Sequence, residues 1–270
     1  NEPYAICVNP NTNKIYVANI NSDNVTVIDG VTNSTTTVAA GDFPRAICVN
    51  LNTNKIYVAN FISDNVTVID GVTNSTTTVA AGNEPYAICV NPNTNKIYVA
   101  NEGSGNVTVI DGETNDTTTI SAGANPYTIR VNLNTNKIYV ANYYSGKVTV
   151  IDGATNSTTA IDVGNWPRAI CVNPNTNKIY VANRGSDNVT VIEEVEIYLS
   201  PLSSCITPFT NDTTTDHLPL FNGSSLNTRT PNNTKIMKVL YRIDNTQSPW
   251  NESDITYTSD TTVTWQAQLT

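Results

Sequence analysis

Short runs in which apolar and polar residues alternate, separated by clusters of Asn, Asp, Thr, Ser and Gly, set the pattern of this chain. In the first stretch, residues 5–9 (AICVN), 14–19 (KIYVAN), 25–28 (VTVI) and 34–39 (STTTVA) place Ile, Val, Tyr and Thr at strand spacing. Period-two alternation in runs this short predicts half-buried β-strands. The intervening PNTN at 10–13, NSD at 21–23, and DG with TN at 29–33 are turn chemistry: their side chains bond their own backbone or tolerate positive φ.

The same set of four strands then recurs. A proline opens each copy at Pro3, Pro44, Pro85, Pro126 and Pro167, every 41 residues. The copies occupy 1–41, 42–82, 83–123, 124–164 and 165–192, and the fifth stops after its third strand. A sheet of four short antiparallel strands cannot bury both faces alone. Side by side around an axis, Ile and Val of one copy can cover Tyr, Ala and Cys of the next, with the Thr-rich fourth strand at the rim. The predicted fold is all-β: a β-propeller of 41-residue four-stranded blades, five of them visible.

The second and third strands also carry a family resemblance. IYVANINSDNVTVIDG at 15–30, with in-phase copies beginning at Ile56, Ile97, Ile138 and Ile179, resembles the YVTN repeat family over residues 1–192. The resemblance implies a β-propeller, usually of seven blades. Such propellers are common in surface-layer and other envelope proteins of methanogenic archaea and in some exported bacterial proteins. The chain departs from that pattern in showing five repeats.

Beyond residue 195 the period is lost. Residues 203–234 read as loop-rich, and 235–244, 255–257 and 261–269 read as strands. The run VLYRIDN…SPWNES…TVTWQAQLT resembles the Ig-like β-sandwich modules of microbial surface proteins, with its last strands missing. The expected domains are 1–194, the propeller repeats, and 195–270, an incomplete Ig-like β-sandwich. The alternative reading makes the second segment two irregular blades. The chain starts without Met inside a repeat, so a processed or partial chain is expected and the lack of a leader carries no weight.

Composition narrows the function. The net charge is −9, with 23 acidic and 14 basic residues and no basic stripe, so nucleic acid is not the expected partner. No apolar run is long enough to span a bilayer. Asn-X-Ser/Thr sequons stand at Asn24, Asn33, Asn65, Asn74, Asn106, Asn115, Asn156, Asn188, Asn211, Asn222, Asn232 and Asn251, and point to an exported, glycosylated protein. Cys7, Cys48, Cys89 and Cys171 occupy equivalent first-strand positions, with Arg130 in the fourth copy. A ring of thiols around the axis is one reading. Small buried apolar side chains are the favoured one.

No catalytic constellation is evident. His217 is the sole histidine, and no nucleophile elbow, phosphate loop or zinc spacing occurs. Asp29, Asp70, Asp111 and Asp152, each followed by Gly, read as turn residues, because identical turns cannot split two carboxylate pKa values. No cofactor or metal is expected.

The turns AsnXAsnThrAsnLys and AspGlyXThrAsn barely change between copies, whereas two other places change freely. After the second strand stand Ile20-Asn21, Phe61-Ile62, Glu102-Gly103, Tyr143-Tyr144 and Arg184-Gly185; the residues flanking the opening proline vary as well. In a four-stranded meander both places lie at one end. Phe43, Phe61, Ile62, Tyr143, Tyr144 and Trp166 therefore form a candidate partner-binding face, for a neighbouring subunit, another envelope protein or a glycan. Drift of loops whose aromatics pack on adjacent blades is the competing explanation. The expected function is structural or adhesive, at the cell surface: a surface-layer, sheath or filament component, or an adhesin. The alternative is a propeller enzyme, a lyase or hydrolase with its site in the axial funnel.

Overall fold

A computed structural model of the chain describes residues 2–193 and two further strands near the C-terminus. The chain divides into two compact units, Asn1–Glu193 and Glu194–Thr270. The first is built of consecutive antiparallel sheets with sequential strand order. Sheet one contains β1 (Pro3–Asn9), β2 (Lys14–Asn19), β3 (Asn24–Asp29) and β4 (Thr35–Ala39). Sheet two contains β5 (Pro44–Asn50), β6 (Lys55–Asn60), β7 (Asn65–Asp70) and β8 (Thr76–Ala80). Sheet three contains β9 (Pro85–Asn91), β10 (Lys96–Asn101), β11 (Asn106–Asp111) and β12 (Thr117–Ser121). Sheet four contains β13 (Pro126–Asn132), β14 (Lys137–Asn142), β15 (Lys147–Asp152) and β16 (Thr158–Asp162). Sheet five has three strands, β17 (Pro167–Asn173), β18 (Lys178–Asn183) and β19 (Asn188–Glu193). In the second unit β20 (Ile255–Tyr257) pairs antiparallel with β21 (Val263–Trp265). The expected strand at 235–244, the loop-rich stretch 203–234, the Ig-like module as a whole, His217 and the sequons at Asn211, Asn222, Asn232 and Asn251 lie outside the described residues.

The blades pack in succession, with β1 on β5, β5 on β9, β9 on β13 and β13 on β17. Between the first two sheets, Cys7, Tyr16, Val25, Val27 and Val38 meet Ile47, Val49, Ile56, Val58 and Ile69. Equivalent residues fill the next three interfaces. Tyr16, Tyr57, Tyr98 and Tyr139 are fully buried there. Burying one Ile or Val side chain contributes about 1.5–3 kcal/mol, and the repeat applies that gain at each junction. The outward flanks of the first and fifth sheets are open, with Ile6 68% and Val189 59% exposed.

One end of each of the first four blades is a lattice of hydrogen bonds between turns. Gly30 N–H donates to Asn13 C=O at 2.8 Å, joining the first and third turns of a blade, and Gly71, Gly112 and Gly153 repeat the bond. A Cβ on Gly30 would collide with Asn13, so this position requires glycine. Other bonds cross to the next blade: Asn9 Nδ2 to Asn54 Oδ1 at 2.7 Å, and Lys14 Nζ to Gly71 C=O at 2.7 Å. Asn50, Asn91 and Asn132, and Lys55 and Lys96, repeat these links. The asparagines and the lysine of the AsnXAsnThrAsnLys turn are thus held by partners, which is a physical reason this end varies so little between copies.

The recurring aspartates belong to the same end. Asp29 Oδ1 accepts the backbone N–H groups of Val31 and Thr32 at 2.9 and 2.8 Å. Those bonds hold its carboxyl below the usual carboxylate range, and Asp70 and Asp111 are lowered by the same bonds.

A candidate partner-binding face

At the opposite end, the two variable segments of each blade are joined to one another. Phe61 N–H donates to Phe43 C=O at 2.9 Å, Tyr143 to Asn125 at 2.8 Å, and Arg184 to Trp166 at 3.0 Å; Ile20–Glu2 and Glu102–Glu84 make the same bond. The loop after the second strand and the loop before the first therefore form one surface.

A β-bulge aims a further residue onto that surface. In the first sheet Pro3 faces Asn19 and Ala5 faces Ala18, leaving Tyr4 as the extra residue. The same shift leaves Arg45, Tyr86, Tyr127 and Arg168 unpaired in the following sheets. A bulge bends the strand and re-aims its side chain. Proline suits the preceding position because it has no N–H to leave unpaired.

The bulge residues touch across blades. Arg45 lies over the rings of Tyr4, Phe61 and Tyr86, at 5.1, 5.5 and 3.7 Å from their centroids. The Tyr86 and Tyr127 rings lie 4.4 Å apart. Arg168 stands over Tyr127 and donates Nε–H to its hydroxyl at 3.2 Å. Among the described residues, no carboxylate forms an ion pair with either guanidinium; Lys147–Asp162 and Lys178–Glu193 pair elsewhere. Burial first, then a hydrogen bond with Tyr127, raise the pKa of the Tyr86 hydroxyl, so it stays protonated at neutral pH.

The loop aromatics join this row. Phe43 and Phe61 lie 5.8 Å apart, and Phe61 meets Tyr86 edge-on at 6.2 Å. Tyr143 contacts Tyr127, Tyr144 and Trp166 at 5.4, 5.2 and 6.0 Å. Five of the six residues expected on this face thus belong to one aromatic chain. Ile62 stands apart from it, though it is exposed on the same end, as are Tyr144 and Trp166. Tyr86 and Tyr127, which connect the two halves, and Arg45 and Arg168 were not among the six. The available signal was their place immediately after each opening proline; the bulge that turns them outward leaves no mark in the pattern of apolar residues.

The residue before each later proline has positive φ: Phe43 at 59°, Glu84 at 56°, Asn125 at 62° and Trp166 at 53°. Asn tolerates that conformation, whereas a bulky side chain is rarely found there. Holding Phe or Trp in the left-handed region costs about 1–2 kcal/mol each. The aromatic character of Phe43 and Trp166 is therefore maintained against a local conformational cost.

The cysteines line interfaces between blades. Cys7, Cys48 and Cys89 pack in the apolar clusters. Burial pushes Cys7 and Cys89 up to about 12 and raises Cys48 well above its ordinary value, so all three are thiols at neutral pH. Cys171, expected to be buried with them, is exposed; it lies on the fifth sheet, whose outward flank is open. Arg130 is exposed as well, and its Nη1 donates to Ile129 C=O at 2.8 Å.

Sequons of the repeats fall into two structural groups. Asn24, Asn65, Asn106 and Asn188 begin third strands at the variable end. Asn33, Asn74, Asn115 and Asn156 lie at positive φ in the turn at the invariant end.

Comparison with known proteins agrees with this architecture. Residues 70–163 are similar to the family described as Lactonase, 7-bladed beta-propeller. No curated protein sequence matches the chain. Among solved structures, the hydrazine synthase of Kuenenia stuttgartiensis is similar at 24% identity with a TM-score of 0.61, over 71% of this chain and 62% of that one. The likeness is one of fold, and the chain spans less than two thirds of that neighbour. The chain is an all-β protein of the β-propeller class, built from repeated four-stranded antiparallel blades.

Proposed function

We propose that this chain is a non-enzymatic, extracellular structural or adhesive protein, a component of a surface layer, sheath or filament, whose variable propeller end is a platform for a protein or glycan partner. The supporting observation is the aromatic chain from Phe43 to Trp166, two of whose members keep bulky side chains at positive φ. Drifting loops would relax toward Gly or Asn at those positions. Exposed aromatics interleaved with arginine are what binding hot spots use.

The test is a triple variant of the exposed members, Ile62→Ser, Tyr144→Ser and Trp166→Gly, in the full chain. Phe61 and Tyr143 are unsuitable because they are half-buried within the row. Electron microscopy of the native protein is expected to show ordered sheets or filaments, or, for an adhesin, retention on glycan or cell-envelope surfaces. The variant is expected to lose that assembly or retention by at least tenfold at unchanged unfolding midpoint. Unchanged assembly and retention would overturn the reading.

One comparison favours a second reading. The similarity of residues 70–163 to a lactonase family favours a propeller enzyme acting on lactones; Arg45 and Arg168, which lie outside the matched residues, are the charged groups of the aromatic row that such a site would use. Lactone-opening activity that disappears in Arg45→Met while the fold survives would establish it in place of the first.

A further inference from the structure

The two groups of sequons differ in a way that bears on modification. In the first, the acceptor side chain is already used. Asn19 Nδ2 donates to both Asn24 Oδ1 at 2.8 Å and Thr26 Oγ1 at 2.9 Å, and Asn24 Nδ2 donates to Ser22 C=O. Asn60 and Asn101 bind the Asn and Thr of the next two copies in the same way, and Thr67 and Thr108 are 3% and 2% exposed. Gly41 N–H of the preceding blade also donates to Thr67. The Asn-Val-Thr sequence is thus explained by a knot between strands and blades.

The second group is not tied into such a knot. Asn33 is exposed; Asn74, Asn115 and Asn156 are half-buried with their Oδ1 atoms buried and unpartnered, and none of the four side-chain amides is held by a hydrogen bond among the described residues. Their sequon hydroxyls, on Thr35, Thr76, Thr117 and Thr158, are all exposed. Each sequon opens onto the outermost strand of its blade. Those strands, β4, β8, β12 and β16, are hydrogen-bonded on one side only. The first three read TTTVA, TTTVA and TTTIS, with no charge and no proline. Nor do they contain a bulge, since their pairing is regular. A neutral, β-branched, unprotected edge is a template for pairing with another chain. Charge, proline or a bulge usually blocks this; a bulky glycan at the strand entrance would do the same.

We propose that in the folded protein the glycosylated asparagines are Asn33, Asn74, Asn115 and Asn156, and that the glycans on the first three guard the neutral edges β4, β8 and β12 against strand pairing, where β16 carries Asp162 instead. The donor is a lipid-linked glycosyl diphosphate. The amide nitrogen bonds to the anomeric carbon, the bond from that carbon to the diphosphate oxygen breaks with its electron pair, and the amide gives up one proton. The inference rests on the extracellular reading above, but its test does not involve the aromatic face, so the two fail separately.

Site-resolved glycopeptide mass spectrometry of the native protein is expected to find glycan on Asn33, Asn74, Asn115 and Asn156, and none on Asn24, Asn65, Asn106 or Asn188. Glycan on the second set, or none on the first, would overturn the assignment. For the edge role, the full chain made without glycosylation is expected to form several-fold more sedimenting aggregate than the native glycoprotein. Thr36→Lys, Thr77→Lys and Thr118→Lys together are expected to bring that fraction back down. Equal aggregation with and without glycan, or no rescue by the lysines, would overturn the guarding role.

Discussion

The guanidinium of Arg45 lies 3.7 Å from the centroid of the Tyr86 ring, one blade further on. Both are bulge residues of equivalent strands, so the register of each sheet delivers them to the same level. With Tyr4 on the other side, the cation sits between aromatic faces, and its Nε is buried without a hydrogen-bond partner among the described residues. Cation–π attraction gains in strength as water is excluded.

Arg45→Ala is expected to destabilise the protein by about 1–2 kcal/mol, through lost ring contact and lost packing of the side-chain stem. Arg45→Met keeps the stem and is expected to cost about half as much. Urea unfolding of both variants separates the contribution of the charge from that of the methylenes.

The knot at Asn101 makes a stronger demand. Its buried amide donates to Asn106 Oδ1 and Thr108 Oγ1 at 2.8 and 2.9 Å. Asn101→Ala removes two hydrogen bonds from this buried knot, leaving Asn106 Oδ1 with Ser104 Oγ–H and Thr108 Oγ1 with Gly82 N–H, and is expected to cost about 1–3 kcal/mol. Thr108→Val removes one acceptor and also orphans Gly82 N–H, which donates to that hydroxyl at 3.1 Å. Its expected cost is about 1–2 kcal/mol, read as a lower denaturant midpoint at unchanged slope.

Trp166 offers the opposite sign. It is 48% exposed and held at φ 53°. Trp166→Asn, the residue that blade four carries at this position as Asn125, is expected to leave stability unchanged or raise it by up to about 1 kcal/mol. Partner retention is expected to fall. A thermal melt beside the assembly assay checks both halves.

Alkaline pH is expected to weaken the fold. Burial raises the Cys7 and Cys89 thiols from an ordinary value of 9.0 to about 12, so between those limits the folded chain holds protons that the unfolded chain releases. The stabilisation is complete below pH 9 and is lost as pH rises toward 12. The slope approaches roughly 1.4 kcal/mol per pH unit for each thiol, less whatever solvent screening removes. Urea midpoints from pH 8 to pH 11 test this, and Cys89→Ala is expected to flatten the decline.

Much of this protein was determined by the sequence alone. Alternation placed the strands to within a residue or two: the expected 14–19 is β2 as observed, and 25–28 became Asn24–Asp29. This was possible because one short unit is written five times, so every turn was read repeatedly in the same frame. The end of the blade carrying the variation was also legible, since a meander alternates its turns between two ends. Asp29 and its copies could be recognised as turn residues because their bonds are local, spanning two or three positions.

What the tertiary structure decided were relations between blades. Asn19 and Asn24 look like separate surface asparagines in the sequence. Only the pairing of β2 with β3 joins them, and only a neighbouring blade buries the copies of Thr26. Nothing in the alternation indicated that Tyr4, Arg45, Tyr86, Tyr127 and Arg168 are bulge residues, because a bulge is a property of two strands' register and not of one strand's composition. The aromatic row depends on that register repeated from sheet to sheet. Local hydrogen bonding and strand periodicity act within a few residues and are visible in the chain; contacts at a separation of 41 residues exist only once blades pack.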